Sequence, residues 1–155
     1  MGVMTWSPLA GGMLSGRYRS DRPIAMDAGR PALQPHWFDQ ELDENRIKLT
    51  LTDQLAALAE EIGTTLPFLA TAFPLTHRAV TSVIIGPRTI DQLQRTLAGA
   101  ALVLDDATLD RIDAIVAPGI DHHTVAWRPP HLDNAGDRRR PSSGRTATQA
   151  AEPNA

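Results

Sequence analysis

Apolar and polar positions divide the chain into short strand-like runs, one-sided helices and stretches with no period. Val3 to Trp6 is apolar and stops at Ser7-Pro8, which predicts a short strand. Roughly Arg19 to Asn45 is rich in Pro, Asp, Arg and Gly without periodicity, and reads as a long loop. Long loops in compact domains are often functional. From Arg46 to Ile62, Leu51, Leu55, Leu58 and Ile62 recur at i, i+4, i+7 and i+11, one stripe of an amphipathic helix stopped by Gly63. Thr65 predicts the cap of a second helix, with Pro67 in its first turn and Leu66, Leu69, Ala70 and Phe73 on one side. Pro74 should keep that helix short or kinked.

The run "AVTSVIIG", Ala79 to Gly86, is rich in β-branched residues and ends in glycine, which predicts a strand buried on both faces, as in a parallel sheet. In "TIDQLQRTLAGA", Thr89 and Gln92 have the spacing of a capping box, and Leu93 and Leu97 should turn inward. A last helix from about Ala107 to Val116, capped by Asp105 or Asp106, places Leu109, Ile112 and Ile115 or Val116 on one face before Pro118-Gly119. Strand, loop, two helices, strand and two helices is the order of an α/β protein with parallel strands. Beyond Gly119 the chain is rich in Pro, Arg, Ser, Thr and Ala and has no stripe wide enough to pack. Most of residues 120–155 is therefore expected to be a disordered tail, with Trp127 its only large apolar anchor.

Composition narrows the function classes. The 155 residues are 42% hydrophobic, enough for one core. A net charge of −3 gives no basic footprint, so nucleic acid is not an expected partner, and Arg138 to Arg140 reads as a solvated run. The lack of cysteine excludes disulfides, thiolate metal sites and a cysteine nucleophile. The longest apolar run, Leu97 to Leu104, is interrupted by Gly99 and too short to span a bilayer, so the expectation is a soluble, cytoplasmic chain. Asp121, His122, His123 and His131 are metal-ligand types, but their place in the tail leaves them without supporting residues, and no metal is expected.

Two segments carry chemistry. In "VIIGPRTIDQL" a strand delivers a glycine turn at which backbone can approach an anion, and the following helix presents free N–H groups and its positive dipole end. Arg88 stands between turn and cap, where a guanidinium can clamp a phosphate by two hydrogen bonds. In "SPLAGGMLSGRY" the backbone N–H groups around Ser7, Leu9 and Gly11 are suited to a phosphate or pyrophosphate, with Arg17 as a second cation. Each segment alone also fits an ordinary turn with no ligand.

Together, "WSPLAGGMLSGRY", "LAEEIGTTLPFLATAFPLTHRAVTSVIIGPRTIDQLQRTLAGA" and "LDDATLDRIDAIVAPG" resemble the C-terminal portion of the aldo-keto reductases, from about Val3 to Gly119. The resemblance implies a partial (β/α)8 TIM barrel over residues 1–119, comprising its last two strands with their helices. It implies NADP(H) as cofactor and carbonyl reduction as the activity. Ser7, Leu9 and Gly11 match the family's pyrophosphate turn, and Ser15, Gly16 and Arg17 its small-Gly-Lys step, with arginine in place of lysine. Gly86, Arg88 and Gln92 match the turn and helix that hold the adenosine 2′-phosphate and ribose, so a preference for NADPH over NADH is expected to follow from Arg88. Arg95-Thr96 departs from the family's usual Glu-Asn, and Pro74 and Arg78 stand where valine and proline are common.

The family's catalytic Asp, Tyr, Lys and His belong to the first half of the barrel, and no residue here matches them. Tyr18 is the one tyrosine and Lys48 the one lysine; neither stands in a matching context, and Lys48 reads as a surface charge on the solvent side of its helix. The expectation is a fragment that is inactive alone, with carbonyl substrate only if the missing half completes it. The alternative is a noncatalytic NADPH-binding or interaction module that complements a separately made N-terminal half. A barrel usually takes about 250 residues, so two strands on their own should be marginal and prone to associate.

Overall fold

The computed structural model describes residues 2–118 and residue 120. The expectations for the tail, which involve Asp121, His122, His123, His131, Trp127 and Arg138 to Arg140, lie outside these residues. The described chain is a mixed α/β structure with a two-stranded parallel sheet, β1 (Val3–Trp6) and β2 (Val80–Ile84). Parallel strands need a long crossover. Here it is made by α1 (Gly29–Leu33), α2 (Asp43–Glu61) and α3 (Leu66–Leu75); α4 (Ile90–Ala100) and α5 (Asp106–Ile115) follow β2. None of the described helices is long and apolar enough to cross a membrane.

Two elements interrupt the segment expected to be a loop, namely α1 and a 3₁₀ turn over Pro35–Trp37. Pro35 fits there because the first helical position needs no N–H donor. Helix α2 begins at Asp43, ahead of the expected Arg46, with Asp43 and Glu44 against the positive end of its dipole. Its buried face consists of Asn45, Leu49, Thr52, Ala56, Leu58 and Ala59, whereas Leu51 and Leu55 are half-buried. A stripe counted from leucines alone missed the small residues that allow close packing.

Helix α3 starts after Thr65, as expected, but the Thr65 side chain makes no cap hydrogen bond. Pro74 lies in its last turn, and the helix ends one residue later. The capping box at α4 is half formed: Gln92 N–H donates to Thr89 Oγ1 at 3.2 Å, while Gln92 Oε1 accepts from Arg88 N–H, one residue before the cap, at 2.8 Å. At α5, Asp105 Oδ1 accepts the Thr108 N–H at 2.8 Å. Hydrogen bonding to Thr108 holds that carboxyl below the ordinary aspartate range.

Strand β2 departs from expectation in burial. Val80 is buried, but Ile84 is 53% exposed, because β2 has a single strand neighbour and α3 packs on one side of it. In register, Met4 pairs with Ser82 and Trp6 with Ile84, so Met4, Trp6 and Ile84 share one face, and Trp6 is 81% exposed.

Two apolar clusters hold the rest. The larger joins α2, α3 and α5 through Leu58, Ala59, Leu69, Ala72, Leu109 and Ile112, with Leu104 from the preceding turn. The smaller joins Met13, Ile24 and Phe38 to Leu49 of α2, with Tyr18 and Trp37 packed against it.

Leu97 is exposed, not turned inward. Helix α4 approaches α3 through Gly99, where a methyl group would stand 2.9 Å from the Phe68 Cα, and this contact leaves Leu97 and Ile90 outside. Gly99→Ala should therefore push the helices apart and destabilise the chain by ~1–2 kcal/mol, read as a lowered denaturation midpoint at unchanged slope.

Candidate functional site

Because β1 and β2 are parallel and Trp6 pairs with Ile84, the segments after the two strands leave from the same end of the sheet. Adjacent strands lie about 4.8 Å apart. The fold thus brings together the two turns that sequence reasoning singled out separately, Ser7 to Arg17 and Gly86 to Gln92.

The first turn is tightly wound. Ser7 and Ala10 have φ of 57° and 48°, and Gly11, Gly12 and Gly16 also have positive φ. Non-glycine residues in this region are strained, and such strain clusters at ligand-binding sites. The Ser7 carbonyl accepts the Ala10 N–H at 2.9 Å, and the Leu9 carbonyl accepts those of Gly12 at 2.8 Å and Leu14 at 3.1 Å. Ser7 Oγ accepts the Gly11 N–H at 3.2 Å, so this donor, expected to point outward, closes on the turn itself. A hydroxyl rather than a backbone carbonyl holds it, and side-chain rotation can release it to a ligand.

Short 3₁₀ turns broken by the positive φ of Gly11 and Gly12 then span Ala10–Ser15, bury Met13 and end at Gly16, whose φ of 80° suits glycine. Ser15 Oγ accepts the Arg17 N–H at 3.4 Å. Gly11 sits against Trp37: a Cβ there would lie 3.1 Å from the indole, so the turn rests directly on the 35–37 segment.

In the second turn Gly86 is open, with nothing within 4 Å of an added Cβ. Arg88 is exposed, its amide held by Gln92. Asp91 in the first turn of α4 would repel an anion, but Arg95 pairs with it at 3.2 Å. Arg17 and Arg88, one on each turn, have no carboxylate partner among the described residues, as is also true of Arg30 and Arg78, whereas Arg19, Arg22, Arg46, Arg95 and Arg111 each have one.

The remaining expected residues are also in these turns: Leu9 is half-buried, and Ser15, Gly16 and Gln92 have the positions given above. Lys48 is a correction. It is half-buried, its Nζ donates to Asn45 Oδ1 at 3.2 Å, and it lines an apolar cavity of about 710 Å³ together with Met13, Leu69, Phe73 and Ile112. The solvent side of a helix cannot be judged from its leucines alone when it also buries Asn45, Thr52 and Ala56. Sequence reasoning also missed Asn45 and Asp53, polar residues inside α2 that bond to the loops beneath the first turn. Nothing in the local pattern marks them out.

The profile of the Aldo/keto reductase family matches residues 1–117. The chain belongs to the aldo/keto reductase family. Among curated relatives, an uncharacterized oxidoreductase, YrpG of Bacillus subtilis (strain 168), is 32% identical over 120 residues, which is 77% of this chain and 33% of that protein. This aldo/keto reductase chain thus spans one third of the length of that relative. Among the described residues there is no group of three or more His, Asp or Glu able to hold a metal ion.

Proposed function

We propose that the paired turns form the phosphate-binding end of a nicotinamide dinucleotide site, and that the chain serves an oxidoreductase acting on carbonyls with NADPH. In this reading residues 1–119 are the last two strands and associated helices of a (β/α)8 barrel. The observation that carries the reading is the parallel register, which sets two glycine turns, each bearing an arginine without a carboxylate partner among the described residues, at the same end of the sheet. The donor set suits the group: planar guanidinium donors, hydroxyls and the open backbone at Gly86 are what phosphate oxygens take.

Residue by residue, Ser7, Leu9 and Gly11 hold the pyrophosphate, with Ser15, Gly16 and Arg17 closing its far side. Gly86 admits the adenosine phosphate to close backbone approach, Arg88 takes the 2′-phosphate, and Gln92 fixes the Arg88 backbone through the hydrogen bond to its amide. When bound, the nicotinamide supplies the hydride. No described residue matches the family's proton donor, so in this reading turnover needs residues outside those described. The relative named as an oxidoreductase supports the oxidoreductase part of this reading.

Titration with NADPH and with NADH, followed by tryptophan and cofactor fluorescence, tests it. Saturable binding that favours NADPH is expected, and Arg88→Ala should weaken NADPH about tenfold, the loss of one charge-assisted contact, while leaving NADH nearly unchanged. A folded chain that binds neither cofactor, or equal losses for both in Arg88→Ala, would refute the assignment.

A further inference from the structure

The limb that leaves the first turn is fastened to α2 at a single carboxylate. Asp53 Oδ2 accepts the Ser20 N–H at 3.1 Å and also the Ser20 hydroxyl, and Asp53 Oδ1 lies 3.5 Å from the Arg19 guanidinium. Two successive residues of the limb thus converge on one side chain 33 positions from Ser20. Asp53 is next to the buried Thr52 on the longest helix of the described chain, a rigid support. One residue before Arg19, Tyr18 meets the Phe38 ring at 4.8 Å between centroids. Tyr18 is therefore anchored inward and Ser20 onto α2, with Arg19 neutralised between them. Arg17, two residues earlier, keeps no carboxylate partner among the described residues.

We propose that Asp53 is a positioning residue for the phosphate site: it pins the 18–20 limb to α2 and occupies Arg19, so that Arg17 is the cation the first turn presents to an anion. The part of this that concerns a ligand rests on the function proposed above; the tether itself does not. Helix α2 fixes the height of the limb, the limb fixes the end of the glycine turn, and the turn fixes Arg17. The Arg19–Asp53 pair is half-buried, its side chains 23% and 31% exposed, and a lone ion pair still open to water contributes little to global stability. Its loss should therefore be felt in the placement of the limb far more than in the melting of the protein, and this separates positioning from a merely structural role.

The test uses the full chain as wild type, Asp53→Asn, Asp53→Glu and Ser20→Ala. Without ligand, trypsin is expected to cut after Arg17 and Arg19 about fivefold faster in Asp53→Asn, with an intermediate rate in Ser20→Ala, at nearly unchanged thermal midpoints. With NADPH, Asp53→Asn should weaken binding about fivefold, Asp53→Glu should recover most of it, and Arg17→Ala should matter less in the Asp53→Asn background than in wild type. Unchanged cleavage in Asp53→Asn and Ser20→Ala overturns the tether. An undiminished Arg17→Ala effect in Asp53→Asn overturns the positioning of Arg17. Faster cleavage in a chain whose wild type binds no NADPH upholds the tether and overturns the cofactor assignment instead.

Discussion

Asn45→Ala is expected to destabilise the chain by about 2–3 kcal/mol and to weaken dinucleotide binding as well, although Asn45 touches neither turn. Its side chain is fully buried: Nδ2 donates to the carbonyls of His36 at 2.8 Å and Asp39 at 2.9 Å, and Oδ1 accepts from Lys48 at 3.2 Å. Alanine removes all of these bonds at once. Two carbonyls lose their donor, and the Lys48 ammonium, on the wall of an apolar cavity, loses its acceptor; leaving such groups unsatisfied costs more than a typical hydrogen bond contributes. The 36–39 segment then loses its polar attachment to α2 and keeps only the packing of Phe38 on Leu49. Since Trp37 backs Gly11 and Phe38 packs with Met13 and Tyr18, the glycine turn loses its floor. Chemical denaturation and an NADPH titration of the same variant check both effects; a stability change within about 0.5 kcal/mol, the range of ordinary surface substitutions, would contradict the role given to Asn45.

Leu109→Ala should show a different pattern. Leu109 is 1% exposed among Leu58, Ala59, Leu69, Ala72, Leu104 and Ile112, and truncating a leucine in such a place costs about 2–5 kcal/mol through lost burial and the cavity left behind. The larger cluster does not include Met13 or Phe38, so the support of the first turn is untouched. Under conditions where the variant remains folded, its NADPH affinity should equal that of wild type. A parallel fall in affinity and stability would mean that the two clusters act as one.

Why some features were legible in the sequence and others not follows from the range of the interactions. Val3 to Trp6, the Thr89 and Asp105 caps and the short helix ending near Pro74 are set by neighbours within a few positions, and all were readable. The two turns were readable as candidate chemistry because each sets glycine just ahead of an arginine, Gly16-Arg17 in one and Gly86-Pro87-Arg88 in the other, and the order of strands and helices correctly implied a parallel pair. Burial was less legible. Leu97 looks like a core residue on its own helix and is exposed, because the contact with α3 is made by Gly99. Lys48 looks like a surface charge and lines a cavity, because a buried asparagine one turn away draws it in. Asp53 meets Ser20 across 33 positions, and no local pattern encodes a partner that far away.

Helix α2 reaches both clusters, with Leu49 toward one end in the smaller and Leu58 toward the other in the larger. A protein built this way has two units of unequal size sharing one beam, and the smaller can open while the larger stays closed. Amide hydrogen exchange would then fall into two populations: a fast one for Gly11 to Phe38 and a slow one for the second half of α2, with α3 and α5. A ligand at the turns would slow the first population and leave the second where it was, so occupancy of the site would be read as selective protection of the chain beneath it.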